Sequence, residues 1–237
     1  MESTVPVRLA ATAVLLRDSV GGGIEVLLLR RNATLAFAGG AWVFPGGAID
    51  PPEIAAASSD KAAAELAVVR EIQEECGLTV SSDDLVYFCH WTTPKGEKRC
   101  FATWFFAANV TGNTGDILID GSEIHEFRWL DVDKAISLHH SDNLVLMPPT
   151  YLSLSLIANY TSAEMACSAL KLRQPYAVTP RLCQQDGMMV CLYPGDSGYE
   201  SIDANLSGPR HRTFFTPKGT QYEHSGSDVG VPPMDQP

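Results

Sequence analysis

What the chain lacks narrows the field first. Its six cysteines, at 76, 89, 100, 167, 183 and 191, form no C-x-x-C pair and no zinc-like grouping with the six histidines, which argues against a disulfide framework or a zinc site. Basic residues are scarce, 17 Lys and Arg against 28 Asp and Glu for a net charge of −11, the wrong sign for gripping a nucleic-acid backbone. No apolar run reaches the ~20 residues of a membrane span. The longest near the N-terminus, residues 9–16, is also followed by no convincing signal-cleavage site, so a cytoplasmic location is expected. The terminal Asp235-Gln236-Pro237 is not a peroxisomal address, and no internal repeat is visible. What is present is a chain of 237 residues with 45% apolar content, enough for one sizeable domain or one domain with a small appendage.

The most informative stretch is 44–78, which reads as a loop, a helix and a loop. Over 60–76, Ala62, Leu66, Val69, Ile72 and Cys76 recur at spacings of three and four, the mark of one buried helical stripe. Ser58 or Ser59 can cap the start, Asp60 suits the first turn, and Gly77 stands where a left-handed residue ends a helix. Glu71, Glu74 and Glu75 fall on one face of that helix. Like charges so placed repel by roughly 0.2–0.5 kcal/mol per pair, and two of them sit in the last turn, where the helix dipole disfavours anions. A cation is needed to offset this. Arg70 can hold one carboxylate, while a hard divalent ion such as Mg²⁺ prefers oxygen ligands and keeps waters for substrate phosphates. Phe44-Pro45-Gly46-Gly47 offers a turn of little bulk whose backbone carbonyl can approach the same ion.

Along the rest of the chain, 9–17 and 24–30 read as a hairpin and 41–44 as a short strand. Two aromatic-rich strands follow at 85–92 and 100–108, then one at 123–130 with Ile124, Phe127 and Trp129 facing the core. Short and longer helices are expected at 133–138 and 148–159, the latter opened by Pro148 and Pro149. The mixture predicts an α+β sandwich. Beyond 172, the chief strand is 188–193, 210–215 is a candidate solvated edge strand, and the Ser/Gly/Pro content from 224 predicts a disordered tail.

Residues 70–78, Arg-Glu-Ile-Gln-Glu-Glu-Cys-Gly-Leu, resemble the second half of the Nudix hydrolase signature without a gap. Gly47 and Glu53 match its first half, with residues 54–69 longer by nine than the family's usual spacing, and Glu65 is an off-register rival to Glu53. The resemblance covers roughly residues 7–160 and implies the Nudix α/β/α fold with a mixed β-sheet. The resulting division is a Nudix domain over 1–170, an extension packed on it over 171–223 and the tail over 224–237.

By that resemblance Glu71, Glu74 and Glu75 are metal ligands for Mg²⁺ (or Mn²⁺), Gly47 adds a backbone carbonyl, and Arg70 orients the glutamates. The proton acceptor is Glu71 or, second, Glu123. Leu27, Arg30, Gly40 and residues 44–47 are similar in register to the signature of the coenzyme A diphosphatase branch, whose internal arginine is Ala36 here, and that branch also carries an insertion in the box. The resemblance implies cleavage of coenzyme A or acyl-coenzyme A to 3′,5′-ADP and (acyl-)4′-phosphopantetheine, with Arg30, Trp91 and Arg99 as substrate contacts. ADP-ribose, NADH or another nucleoside diphosphate derivative is the rival substrate, and a non-catalytic nucleotide sensor the rival class. A small-molecule diphosphate is the expected partner, with no nucleic acid and no membrane, and a homodimer is compatible with the reading.

Overall fold

A computed structural model describes residues 6–34, 39–112, 116–119, 123–226 and 231–237. Ala36, named above, therefore lies outside the described residues.

The body is built on one mixed sheet. Strand β1 (Val7–Asp18) runs parallel to β6 (Cys100–Asn109) over ten residue pairs and antiparallel to β2 (Ile24–Arg31). The short strands β3 (Trp42–Val43) and β4 (Gly46–Ala48) pair with β2 and β1 respectively. β7 (Ile124–Asp131) lies along the other side of β2, and β5 (Val86–Thr92) pairs antiparallel with β6. The sheet takes a further strand, β8 (Tyr176–Val178), parallel to β5, past the boundary at 170 expected from sequence.

Both faces of the sheet are covered, which is why β1 and β2 read as nearly unbroken apolar runs. Alternate residues serve alternate cores. Ala11, Ala13, Leu15, Leu27 and Leu29 pack with Ile72 and Cys76 of helix α2 (Asp60–Cys76) on one side. Val14, Leu16, Val26 and Leu28 face the other side, under α4 (Pro148–Ile157) and α5 (Ala163–Leu172), helices that follow α3 (Val132–His140) in the chain.

The helix that carries the glutamates is preceded by a separate short one, α1 (Pro51–Ala56). Ser59 caps α2 by accepting from the Ala62 amide, and Gly77 ends it at φ 70°. Its buried stripe differs from the expected one. Ala63, Ala64, Ala67, Val68, Ile72 and Cys76 face the sheet, while Leu66 is exposed. Small side chains let the helix lie close against the sheet, and proximity rather than bulk selects the face. On β7, Ile124 is buried as expected but Phe127 is 37% exposed, because the strand lies at the sheet's edge.

The C-terminal region folds into a second, four-stranded sheet ordered β12-β11-β10-β9, from β9 (Arg181–Gln185), β10 (Met188–Leu192), β11 (Arg210–Thr216) and β12 (Gly219–Ser225). The expectation of a solvated edge strand at 210–215 is corrected: β11 is interior to its sheet and Arg212 is 1% exposed, held bidentate by Asp196 at 2.7 Å. Of the tail expected to be disordered from 224, the described residues are ordered into the fold. His224 and Ser225 belong to β12, and Met234 is buried in the core, with its amide donating to the Tyr222 hydroxyl. These contacts are long-range and composition does not reveal them: Arg173 donates to the Pro233 carbonyl at 2.6 Å and Asn159 to the Asp235 carbonyl at 2.9 Å. No helix among the described residues is long and apolar enough to cross a membrane.

Candidate active site

The site begins where β1 leaves a gap that only glycine fills. Gly46 has φ 154°, and a β-carbon there would overlap the Ala11 carbonyl and Thr12. The Pro45 carbonyl accepts from the Thr12 hydroxyl at 2.7 Å and the Ala13 amide at 2.9 Å, pinning the turn to β1. Gly47 is next. A β-carbon on it would overlap the Glu71 carboxylate, so its backbone lies directly against that side chain.

From the helix side, the Gly46 amide donates to Glu75 Oε2 at 2.9 Å. Arg70 gathers three carboxylates. Its Nε donates to Glu53 at 2.8 Å, and its Nη1 to Glu71 at 2.9 Å and to Glu74 at 3.0 Å, while Nη2 reaches the Ala48 carbonyl at 3.1 Å. Glu53 thus takes the place beside Arg70, bracing α1 through the Asp50 amide at 2.7 Å, whereas Glu65 pairs with Lys61 on the same helix.

Electrostatics follow burial. The Glu75 carboxyl is pushed up to about 7 by burial, against the pull of the Gly46 amide. Burial also raises the Glu71 carboxyl despite its Arg70 hydrogen bond. At Glu53 partial burial is outweighed by Arg70 and the Asp50 amide, which hold it below the usual range. The Arg70 guanidinium is raised further still by its hydrogen bond to Glu53. Carboxylates whose charged form is disfavoured by burial gain from an added positive charge.

The sequence-predicted residues divide. Glu71, Glu74, Glu75, Gly47 and Arg70 are brought together, although Glu74 remains 59% exposed. Glu123 is at the rim, 63% exposed, with a carboxylate 3.9 Å from Arg31 Nη2. Arg30 points elsewhere. Strand alternation puts it on the opposite face from Leu29 and Arg31, where it pairs with Glu126 and lines a cavity with Gly40, Trp42, Arg128 and Asn143. Trp91 is a core residue, packed edge-on against Tyr176 and Tyr193 under α5. Its length and aromaticity marked it for stacking, but alternation in β5 turns it inward. Arg99 is exposed in the β5–β6 turn. Since Cys100 is level with Val7 and Gly47 with Ala11, it starts roughly 13 Å down the sheet from the cluster.

Two residues matter more here than sequence reasoning allowed. One is Glu53, whose signal was the Asp50-to-Glu53 spacing of a capping box. The other is Arg31, whose positive charge bears on Glu75 and whose Nε is buried without a partner. The alternation Leu27, Leu29, Arg31 could have found it.

The metal question can be tested on the donors themselves. They are all oxygen, two are destabilised as anions by burial, and Gly47 leaves its backbone open at Glu71, features that suit a hard divalent cation. Among the described residues no group of three or more potential ligands is already gathered for an ion. Arg70 occupies Glu71 and Glu74 instead.

A fold of this topology with this helix and turn is that of a hydrolase built on the Nudix plan. The family model for the NUDIX domain matches residues 6–148, and the chain belongs to that family, enzymes that act on pyrophosphate bonds, generally with divalent metals. Among solved structures, a Nudix hydrolase from Alicyclobacillus acidocaldarius is 24% identical with a TM-score of 0.65, over 73% of this chain and 100% of that one. A MutT Nudix hydrolase from Burkholderia pseudomallei is 21% identical with a TM-score of 0.46, over 63% and 97%. No curated protein matches by sequence. The first structure supports the fold, and the site is read from this chain's own residues.

Proposed function

We propose that the chain hydrolyses the diphosphate linkage of a nucleoside diphosphate derivative with Mg²⁺ (or Mn²⁺), coenzyme A or acyl-coenzyme A being the leading substrate. The observation that carries the diphosphatase reading is the packing of Gly47 on Glu71 beside Glu75, with Arg70 orienting the carboxylates. Glu71, Glu74, Glu75 and the Gly47 carbonyl would hold the ion. When bound, it supplies positive charge to the diphosphate oxygens and makes a water more acidic.

The chain's own groups do the rest. Arg70 keeps Glu53, Glu71 and Glu74 in fixed orientation. Glu71, or Glu123 at the rim, accepts the proton of the attacking water as it adds to phosphorus. Arg31, on the same face as Glu75, offers its guanidinium to the anionic substrate. The coenzyme A version rests on Leu27, Arg30, Gly40 and the 44–47 turn in their register, and on the break between α1 and α2 where that branch has its insertion.

A panel tests the proposal: protein, Mg²⁺ and coenzyme A, ADP-ribose or NADH, with products separated by chromatography. Release of 3′,5′-ADP and 4′-phosphopantetheine from coenzyme A supports the specific version. Cleavage of ADP-ribose or NADH in its place moves the assignment to those substrates. Tight binding with every candidate intact marks a sensor.

A further inference from the structure

The C-terminal sheet meets the Nudix body at an imidazole. His139, in the last turn of α3, is 5% exposed, and the Thr220 amide of β12 donates to its Nε2 at 2.8 Å. Its Nδ1 lies 3.0 Å from the Leu144 carbonyl and 3.3 Å from the Leu146 amide. A neutral ring has one donor and one acceptor nitrogen. The shorter contact, with Thr220 at 2.8 Å, makes Nε2 the acceptor, so Nδ1 carries the proton and donates to Leu144, and the Leu146 amide at 3.3 Å is a neighbour and not a bond in this tautomer. The joint is tight: Thr220 is 1% exposed, and a β-carbon on Gly219 would press on the His139 carbonyl and ring.

From there a short chain of contacts reaches the active site. The segment 144–146 runs beside β3, where the Trp42 amide donates to the Val145 carbonyl at 2.9 Å and Trp42 bridges to Leu146. Three residues after Trp42 stands Pro45, pinned to β1, and then Gly46, whose amide holds Glu75.

We propose that His139 is a positioning residue, a proton-gated joint through which the β11–β12 hairpin braces the strand that enters the Gly46–Gly47 turn. Only the neutral ring can serve. A protonated ring would present Nε2–H to the Thr220 N–H, two donors face to face, and the hairpin would have to lift. Burial, with His140 on the same helix, disfavours the charged ring, while the Leu144 carbonyl and Asp142 favour it. Tyr151 of α4 packs on the ring at 5.4 Å between centroids, and Lys218 and Tyr222 of the hairpin line a neighbouring groove with His140 and Tyr151. Asp142 is the one anion in this set.

The consequence for turnover rests on the hydrolase reading, so the deciding measurement is hydrogen exchange on the full chain, which needs no activity. At pH 7.5 and 5.5, with intrinsic rates divided out, the Thr220 and Trp42 amides should lose protection together by about tenfold at the lower pH. His139→Gln, whose side-chain oxygen accepts from Thr220 at either pH, should abolish the loss at Trp42 and reduce it at Thr220, where His211 of the same hairpin adds its own acid response. Equal wild-type protection at both pH values, loss at Thr220 without loss at Trp42, or the same pH response in the variant would each overturn the proposal. Should the panel assay show no hydrolysis of any diphosphate, the hydrolase reading falls while the exchange result stands by itself. Where turnover is present, kcat should fall more steeply over that pH range in the wild type than in His139→Gln, the shared part of the fall belonging to Glu71 and Glu75.

Discussion

The Gly46 amide donates to the Glu75 carboxylate at 2.9 Å, tying the turn after β3 to the last turn of α2. This bond fixes the distance between the two halves of the site, and it does so with a carboxyl whose burial makes the charge costly. Stability and chemistry therefore oppose each other at one side chain.

That opposition is measurable in Glu75→Gln. A carboxyl raised from 4.5 to about 7 costs roughly 3 kcal/mol of folded-state stability once it ionises. The sign is that of a raised acid: the folded state holds the proton longer, so the cost is absent below about pH 4.5, grows above it and is complete above pH 7. Denaturant unfolding without metal should show the variant more stable than wild type at pH 8 and equal to it at pH 4. Turnover should fall by ~10²–10⁴.

Magnesium should reverse the ranking. Ligand binding to the folded state alone stabilises by RT ln(1 + [L]/Kd), about 4.1 kcal/mol at a thousandfold excess over Kd, more than the charge of Glu75 costs. Thermal unfolding should rise with MgCl₂ in the wild type and respond weakly in Glu71→Gln and Glu75→Gln. An equal rise in all three would remove these carboxylates from ion binding.

Gly47→Ala tests the contact with Glu71. Its new methyl would have to displace the carboxylate, with a loss of about 1–3 kcal/mol from overpacking and a fall in kcat of at least tenfold. Normal kinetics in a folded variant would show that the close approach has no part in the reaction.

His211 gives the C-terminal sheet a second acid-sensitive imidazole besides His139. Its Nδ1 donates to the Pro194 carbonyl at 2.6 Å, its Nε2 is buried without a partner, and burial lowers it to about 4, helped by His224 across the strand pair. A depressed imidazole leaves the unfolded chain with more protons, so its contribution is full above pH 6.5 and is lost as pH falls toward 4, up to roughly 3 kcal/mol. His211→Gln should flatten the stability profile over that interval.

The pair Arg212 and Asp196 makes the last test. Both are almost fully buried, and removing one partner strands the other. Arg212→Met should cost about 3–5 kcal/mol, and adding Asp196→Leu should recover much of it. Equal losses in the single and double variants would contradict this.

Much of the body was readable from residues. The β1–β2 hairpin, the aromatic pair β5 and β6, the cap at Ser59 and the left-handed Gly77 each carry a local signal, and the Glu71, Glu74, Glu75 face follows from helical spacing. The misreadings arose where packing overrode chemical type. Leu66 looks like a core residue and Ala67 does not, yet the helix approaches the sheet by its alanines. Arg30 and Arg31 differ only in which side of a strand they leave by, and a shift of one residue exchanges a surface pair with Glu126 for a place beside Glu75. Trp91 is by type a candidate for stacking on a ligand and Arg212 for a solvated strand, and long-range partners place both in the interior.

The interior guanidinium of β11 also acts as an alignment key. Sliding that strand by one position against β10 and β12 would turn Arg212 outward and bring His211 or Thr213 over the carboxylate, and neither can offer its two-pronged match. Misthreaded versions of the sheet would then strand a negative charge in a dry interior, so only one threading is tolerated.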